Sequence, residues 1–139
     1  YSYNQELAEK KNFYLKMNGR RLYQYALENV PKSIKEGLDK LNLHVNDVHK
    51  VLIHQANGKM DDAILMRLFR LYGIREVPES IMPMTISWLG NSSVATVPTL
   101  LDIVMRDEME DHSISKGDNV VLASVGAGMS INSIIYKMP

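Results

Sequence analysis

Cysteine is absent from the 139 residues. Its absence excludes disulfides, thiolate metal ligands and any cysteine nucleophile supplied by this chain itself. It also fits a reducing compartment, and the cytoplasm is the expected location. Net charge is missing too, since 16 Lys and Arg balance 16 Asp and Glu. No overall field therefore argues for nucleic acid or an anionic membrane as a partner, and neither is expected. No apolar run approaches the roughly 20 residues of a membrane-spanning helix, and the N-terminus lacks the charged-then-apolar pattern of a secretory signal. Metal-site spacing is lacking as well. His44, His49 and His112 lie in polar surroundings, and His49 and His54 flank a strand rather than sharing a helix face, so no metal is expected. The chain opens on Tyr1 rather than Met, which reads as a piece of a longer protein.

What is present suits one domain with a sizeable core, since 45% of residues are apolar and 23% charged, with no internal repeat or low-complexity tract. Residues 1–12 are polar and aperiodic and read as a linker or the remnant of a preceding element. From 13 onward the pattern is that of a folded domain to residue 139. Phe13, Leu15 and Met17 alternate with polar neighbours, as in a short half-buried strand. After Gly19, the residues Leu22, Ala26, Val30, Ile34, Leu38 and Leu41 fall on one helical stripe, which Pro31 is expected to kink or split into two helices. Val51–Ile53 reads as a buried strand ending at His54. A helix over Gly58–Tyr72 follows, with Met60, Ile64, Leu68 and Leu71 inward and Gly73 as its stop.

Pro78 and Pro83 make residues 77–89 mostly loop, with a short strand expected over Met84–Ser87. Ser92 and Ser93 are N-cap candidates for a helix with Val94, Val97, Leu101 and Val104 inward, and Pro98 argues for a kink within it. Asn119–Val125 and Ser130–Met138 read as an antiparallel pair joined by a tight turn at Gly126-Ala127-Gly128. The class is α/β, helices and strands alternating before a terminal hairpin.

Few residues offer chemistry, and each has a plainer reading. His54 ends a strand that feeds a helix, where α/β folds place ligand groups, yet a histidine there also serves a core hydrogen bond. Asn91, between Gly90 and two serines, suits a turn or cap equally well. Neutral imidazole and carboxamide share one property: each can donate a hydrogen bond to a developing oxyanion without carrying charge. Gly126-Ala127-Gly128 either lets a backbone N–H approach a substrate oxygen or simply turns the chain. Lys59, Arg67 and Arg70 share one side of the second helix, as a solvated face or as a site for phosphate or an acidic protein. The nine methionines read as core filler.

The order of these pieces resembles a known family. His54-Gln55-Ala56-Asn57 resembles the HQAN motif of type III β-ketoacyl-acyl-carrier-protein synthases, members of the thiolase superfamily. Gly90-Asn91-Ser92-Ser93, followed by Ala95, Val97 and Pro98, resembles that family's GNTSAASVP segment. Gly117-Asp118 and Gly126-Ala127-Gly128 resemble its GD pair and terminal glycine turn. Met17-Asn18-Gly19, with Tyr23 and Ala26, resembles its helix start. The match runs in order from Phe13 to Lys137.

The resemblance implies the C-terminal half of a thiolase-like fold, a mixed sheet flanked by helices and ending in a β-hairpin. It implies decarboxylative Claisen condensation in fatty-acid or related biosynthesis. An acyl group taken from coenzyme A by a Cys in an N-terminal half would be attacked by the carbanion of malonyl-acyl-carrier protein. Coenzyme A and phosphopantetheine thioesters are then substrates, no further cofactor is implied, and the full-length enzyme is expected to be a homodimer. By the same resemblance His54 and Asn91 hydrogen-bond the thioester oxygen as the enolate forms, and the Ala127 backbone N–H belongs to a second oxyanion hole. Asn57, Gly19 and Val125 fall at substrate or pantetheine positions, and Lys59, with Arg67 and Arg70, at a carrier-protein docking flank. Departures are Val125 in place of Phe, Ala127 in place of the middle Gly, Gly58 in place of a bulky residue, and Ile86-Ser87-Trp88-Leu89 before the GN pair. They point to a reshaped acyl pocket. Without the nucleophile this chain alone is expected to be inactive. The alternatives are an acyltransferase on the same scaffold that forms no carbon–carbon bond, and a non-catalytic carrier-protein-binding module.

Overall fold

The computed structural model describes residues 18–139. The strand expected over Phe13–Met17, the linker at 1–12 and the domain start at 13 lie outside the described residues. Helix α1 spans Gly19–Lys40, capped by Asn18, whose Oδ1 accepts the Arg21 N–H at 3.1 Å. Its buried stripe is Ala26, Leu27, Val30, Pro31, Ile34 and Leu38. The split expected at Pro31 does not occur: one helix runs through it. The ring lies on the buried stripe, so its apolar contacts offset part of the lost backbone hydrogen bond. Leu41 lies just past the last helical residue and is 54% exposed, so the stripe ends one turn earlier than its period predicts.

Strand β1 (Val48–Ile53) leads into helix α2 (Gly58–Arg70). The inner face of α2 is Asp61, Ile64, Leu65, Leu68 and Phe69, whereas Met60 is half-buried and Leu71, beyond the helix end, is exposed. The expected face was thus rotated by about one residue, because a carboxylate was not counted as an inward group. Gly73 does stop the helix: its φ is 76°, and the Ile74 N–H reaches back to the Phe69 carbonyl at 3.1 Å. In place of the strand expected at Met84–Ser87 stands a single helical turn, α3 (Ile86–Leu89). The N–H groups of Thr85 and Ile86 bond the Gln55 side chain, which leaves no ladder for a strand to join.

Helix α4 is Thr96–Met105, preceded by a 3₁₀ turn at Ser93–Ala95. Neither Ser92 nor Ser93 caps through its hydroxyl; Asn91 does the local capping, through its Oδ1. Because α4 begins at Thr96, Pro98 falls in its first turn, where its missing N–H would have no helical partner. The kink argument therefore does not apply. Leu100 and Val104 face inward, Val97 and Leu101 are half-buried, and Val94, expected inward, is 92% exposed because it precedes the helix.

Strands β2 (Asn119–Gly126) and β3 (Ser130–Lys137) form the expected hairpin, closing with Gly126 opposite Ser130. The sheet order is β1-β2-β3, with β1 parallel to β2 and β3 antiparallel to it. Helices α1 and α2 cover one face over Val51, Ile53, Val121 and Ala123, and α4 covers part of the other over Leu52 and Val120. The approach of α1 to β3 is close, for a Cβ on Gly37 would lie 3.3 Å from Ile135. A mixed sheet flanked by helices and ending in a hairpin is the architecture the sequence predicts.

Candidate active site at the end of the first strand

His54 directly follows β1, and its N–H bonds the Ala123 carbonyl at 2.9 Å, which continues the parallel ladder by one residue. The side chain thereby emerges where β1 and β2 end together. Its Nδ1 lies 3.1 Å from the Ser93 carbonyl oxygen. Asn91 arrives from the other direction. Gly90 ends α3 with φ 68° and ψ −162°, a conformation essentially restricted to glycine, and it turns the chain toward β1. Asn91 Oδ1 then accepts the Ser93 N–H at 2.8 Å. One residue's backbone thus engages both candidate side chains. Ser93 itself has a left-handed φ of 55°, and its carbonyl takes a second hydrogen bond from the buried Thr96 hydroxyl at 3.0 Å.

Beside His54 opens a cavity of about 490 Å³, lined by Ser93, Val94 and Val97 on one side and by β2 residues Leu122–Gly126, with Asn132 and Ile134 of β3, on the other. Val125 is among its lining residues. Ala127 follows in the hairpin turn, directly after the lining residue Gly126. Asn57 and Gly19 are not among the lining residues. Asn57 caps α2, its Oδ1 accepting the Lys59 N–H at 3.1 Å, and Gly19 is the first residue of α1. Lys59, Arg67 and Arg70 are all exposed and form no ion pair among the described residues, while Arg67 and Arg70 occupy the last turn of α2, where they complement the helix dipole.

Two features escaped the sequence. Gln55 is fully buried and clamps the segment that leads to Asn91. Its Nε2 donates to the Pro83 carbonyl at 2.9 Å, and its Oε1 accepts the N–H groups of Thr85 and Ile86 at 2.8 and 2.9 Å. The available signal was a long amide next to His54 at the end of a buried strand. Asp61 is also fully buried, and among the described residues neither carboxylate oxygen meets a partner at full hydrogen-bond geometry. Desolvation, with a smaller push from Asp62 and against the Asn57 backbone, raises its pKa to about 7. An acid between Met60 and a second acid, Asp62, carried no distinguishing pattern.

Chemically, an amide with its oxygen engaged offers its NH₂ as a donor, and the histidine stands across the same backbone residue. A model of the family described as 3-oxoacyl-[acyl-carrier-protein (ACP)] synthase III C terminal matches residues 38–138. The β-ketoacyl-[acyl-carrier-protein] synthase III of Lactobacillus helveticus (strain DPC 4571) is 32% identical over 124 residues, 89% of this chain and 35% of that protein. The corresponding protein of Microcystis aeruginosa is 33% identical over 123 residues, 88% of this chain and 34% of its own length. The chain therefore spans about a third of the relatives it matches. Among solved structures, 3-oxoacyl-(acyl carrier protein) synthase III from Pseudomonas aeruginosa PAO1 superposes with a TM-score of 0.76 at 25% identity, covering 91% of this chain and 36% of that one. The priming β-ketosynthase of the R1128 polyketide biosynthetic pathway gives 0.74 at 27%, with 89% and 34% covered. The thiolase-like fold, the HQAN and GN segments and these matches agree: the chain belongs to the 3-oxoacyl-[acyl-carrier-protein] synthase III family, as its C-terminal domain.

Proposed function

We propose that the chain is the C-terminal catalytic half of an enzyme that condenses a thioester-bound acyl group with malonyl-acyl-carrier protein, with loss of carbon dioxide. The observation that carries this reading is the joint engagement of His54 and Asn91 by the backbone of Ser93. A plain helix cap needs Asn91 alone, and a satisfied core histidine needs no neighbouring amide aimed by the same residue. In the proposed reaction the malonyl carboxyl carbon–carbon bond breaks, and its electron pair moves into an enolate whose charge gathers on the thioester oxygen. The free Nδ2–H of Asn91 and the ring of His54 hydrogen-bond that oxygen. The carbanion then attacks an acyl group held on a Cys of the N-terminal half, forming the new carbon–carbon bond as the thioester C–S bond breaks and the Cys leaves as thiolate. This chain alone is inactive because it holds no such nucleophile.

The cavity beside His54 receives the acyl chain along Val125, and the Ala127 N–H serves the second oxyanion. Asn57 and Gly19 serve the pantetheine arm, and the exposed cationic flank of Lys59, Arg67 and Arg70 docks the acidic carrier protein. In the full-length protein, His54→Ala and Asn91→Ala are each expected to slow malonyl decarboxylation by about 10²–10³-fold, the usual cost of one oxyanion donor. Acylation of the Cys by acyl-CoA is expected to fall far less, as followed by mass spectrometry of the intact protein. Equal loss of both steps contradicts the assigned roles.

A further inference from the structure

The cavity beside His54 is apolar at Val94, Val97, Leu122 and Ile134, but one row of its wall is polar. Ile53 pairs with Ala123 across β1 and β2, so His54 and Ser124 come next in register and, by strand alternation, share the opposite face of the sheet. Ser124 in turn pairs with Asn132 across β2 and β3. Directly opposed side chains of an antiparallel pair leave the sheet on one face, with Cβ atoms about 4.5–5.5 Å apart. His54, Ser124 and Asn132 therefore form a polar row across the sheet, on the face that α4 covers only in part. One step along β3, Ser133 lies on the covered face and is satisfied there: its hydroxyl meets the Ser33 hydroxyl at 2.9 Å and donates to the Ser33 carbonyl at 3.1 Å. The Ser124 hydroxyl and the Asn132 amide instead front the cavity, and neither side chain is hydrogen-bonded among the described residues.

We propose that Ser124 and Asn132 form a polar subsite that selects a primer whose acyl chain carries an uncharged oxygen, a hydroxyl or oxo group, over a plain hydrocarbon chain. The inference rests on the reading of the chain as half of a condensing enzyme whose cavity receives the acyl group, and it names the class of that group. A hydroxyl and a carboxamide each donate and accept, so both meet an alcohol or a ketone oxygen. Lys, Arg, Asp and Glu are absent from the described lining, which leaves a carboxylate or an amine on the chain without a counter-charge. A plain alkyl chain laid along the row strips water from both side chains and returns no hydrogen bond, whereas an oxygenated chain returns one or two. Leu122 and Ile134, beside the row, take the hydrocarbon remainder. Ser124 stands one strand spacing, about 4.8 Å, from the His54 position, which sets the oxygen within the first few carbons of the thioester.

The test uses the full-length protein, the chain joined to its own upstream sequence, with butyryl-CoA, 3-hydroxybutyryl-CoA and 3-oxobutyryl-CoA as primers of equal carbon count. With malonyl-carrier protein as the second substrate, at least one oxygenated primer is expected to exceed butyryl-CoA about tenfold in kcat/KM, the return of two ordinary hydrogen bonds. Replacing both side chains, Ser124→Ala with Asn132→Leu, is expected to bring that ratio to one or below. Butyryl-CoA equal to or better than both oxygenated primers in the parent protein overturns the proposal, and no variant is needed to see it. A ratio that the double replacement leaves unchanged also overturns it, since the pair then only packs against the N-terminal half. If no primer yields a ketoacyl product, the condensing function fails instead. The subsite is then decided by calorimetry, from the affinities of the same thioesters for protein whose upstream Cys is replaced: a tenfold preference for an oxygenated one upholds it and equal affinities overturn it.

Discussion

Asp61 sets an electrostatic cost at the start of α2. Its carboxyl is buried without a well-formed hydrogen bond among the described residues, and desolvation raises its pKa from 3.8 to about 7. Because the folded state binds this proton more tightly, the contribution of Asp61 to stability is least unfavourable below 3.8, worsens as pH rises between 3.8 and about 7, and carries its full cost above that. Asp61→Asn keeps the shape and removes the charge. Its stability relative to the parent is expected to rise by about 1–3 kcal/mol between pH 5 and pH 8, as measured by urea unfolding at both values. A difference that does not change with pH contradicts this account. Motif order singles out His54 and Asn91 in the sequence, and the structure adds what a sequence does not carry: which atom of each is engaged. Asp61 was illegible because nothing local marks an acid as inward until the helix is docked.

Elements were read well where periodicity or β-branching dominates, and poorly where the outcome depends on a tertiary partner. β1 and the terminal hairpin follow from their own residues. The fate of Met84–Ser87 does not, since a segment with strand-like composition becomes a helical turn once Gln55 takes the Thr85 and Ile86 N–H groups. Pro31 and Pro98 both looked like breakers. Pro98 proved harmless because the helix begins two residues before it, and Pro31 because its ring lies in the core. Gln55 is the element-scale pivot, tying the His54 loop to the segment that ends at Asn91. Gln55→Leu leaves the Pro83 carbonyl and two N–H groups without partners in a buried site. It is expected to cost about 2–4 kcal/mol in urea unfolding, at about 1–3 kcal/mol per orphaned group with partial relaxation. A loss under about 0.5 kcal/mol, the range of an ordinary surface change, would show that the loop holds itself.

For the whole molecule, the uneven cover of the sheet matters most. One face is closed by α1 and α2, whereas the other is closed only in part by α4, leaving Ile134, which lines the His54 cavity, and Tyr136 of the same strand at 57% and 47% exposure. In the proposed enzyme, this open flank is where the N-terminal half of the polypeptide packs and brings its Cys to His54 and Asn91. The matched relatives are about two and a half times as long as this chain. The central claim is that these two side chains serve a condensation completed by that half. The most direct measurement is carbon dioxide release from malonyl-acyl-carrier protein by the chain joined to its own upstream sequence, with and without an acyl-CoA primer. The account predicts release coupled to a ketoacyl product in the primed reaction, abolished when the upstream Cys is replaced. A folded, Cys-bearing protein that acylates readily yet releases no carbon dioxide would contradict it.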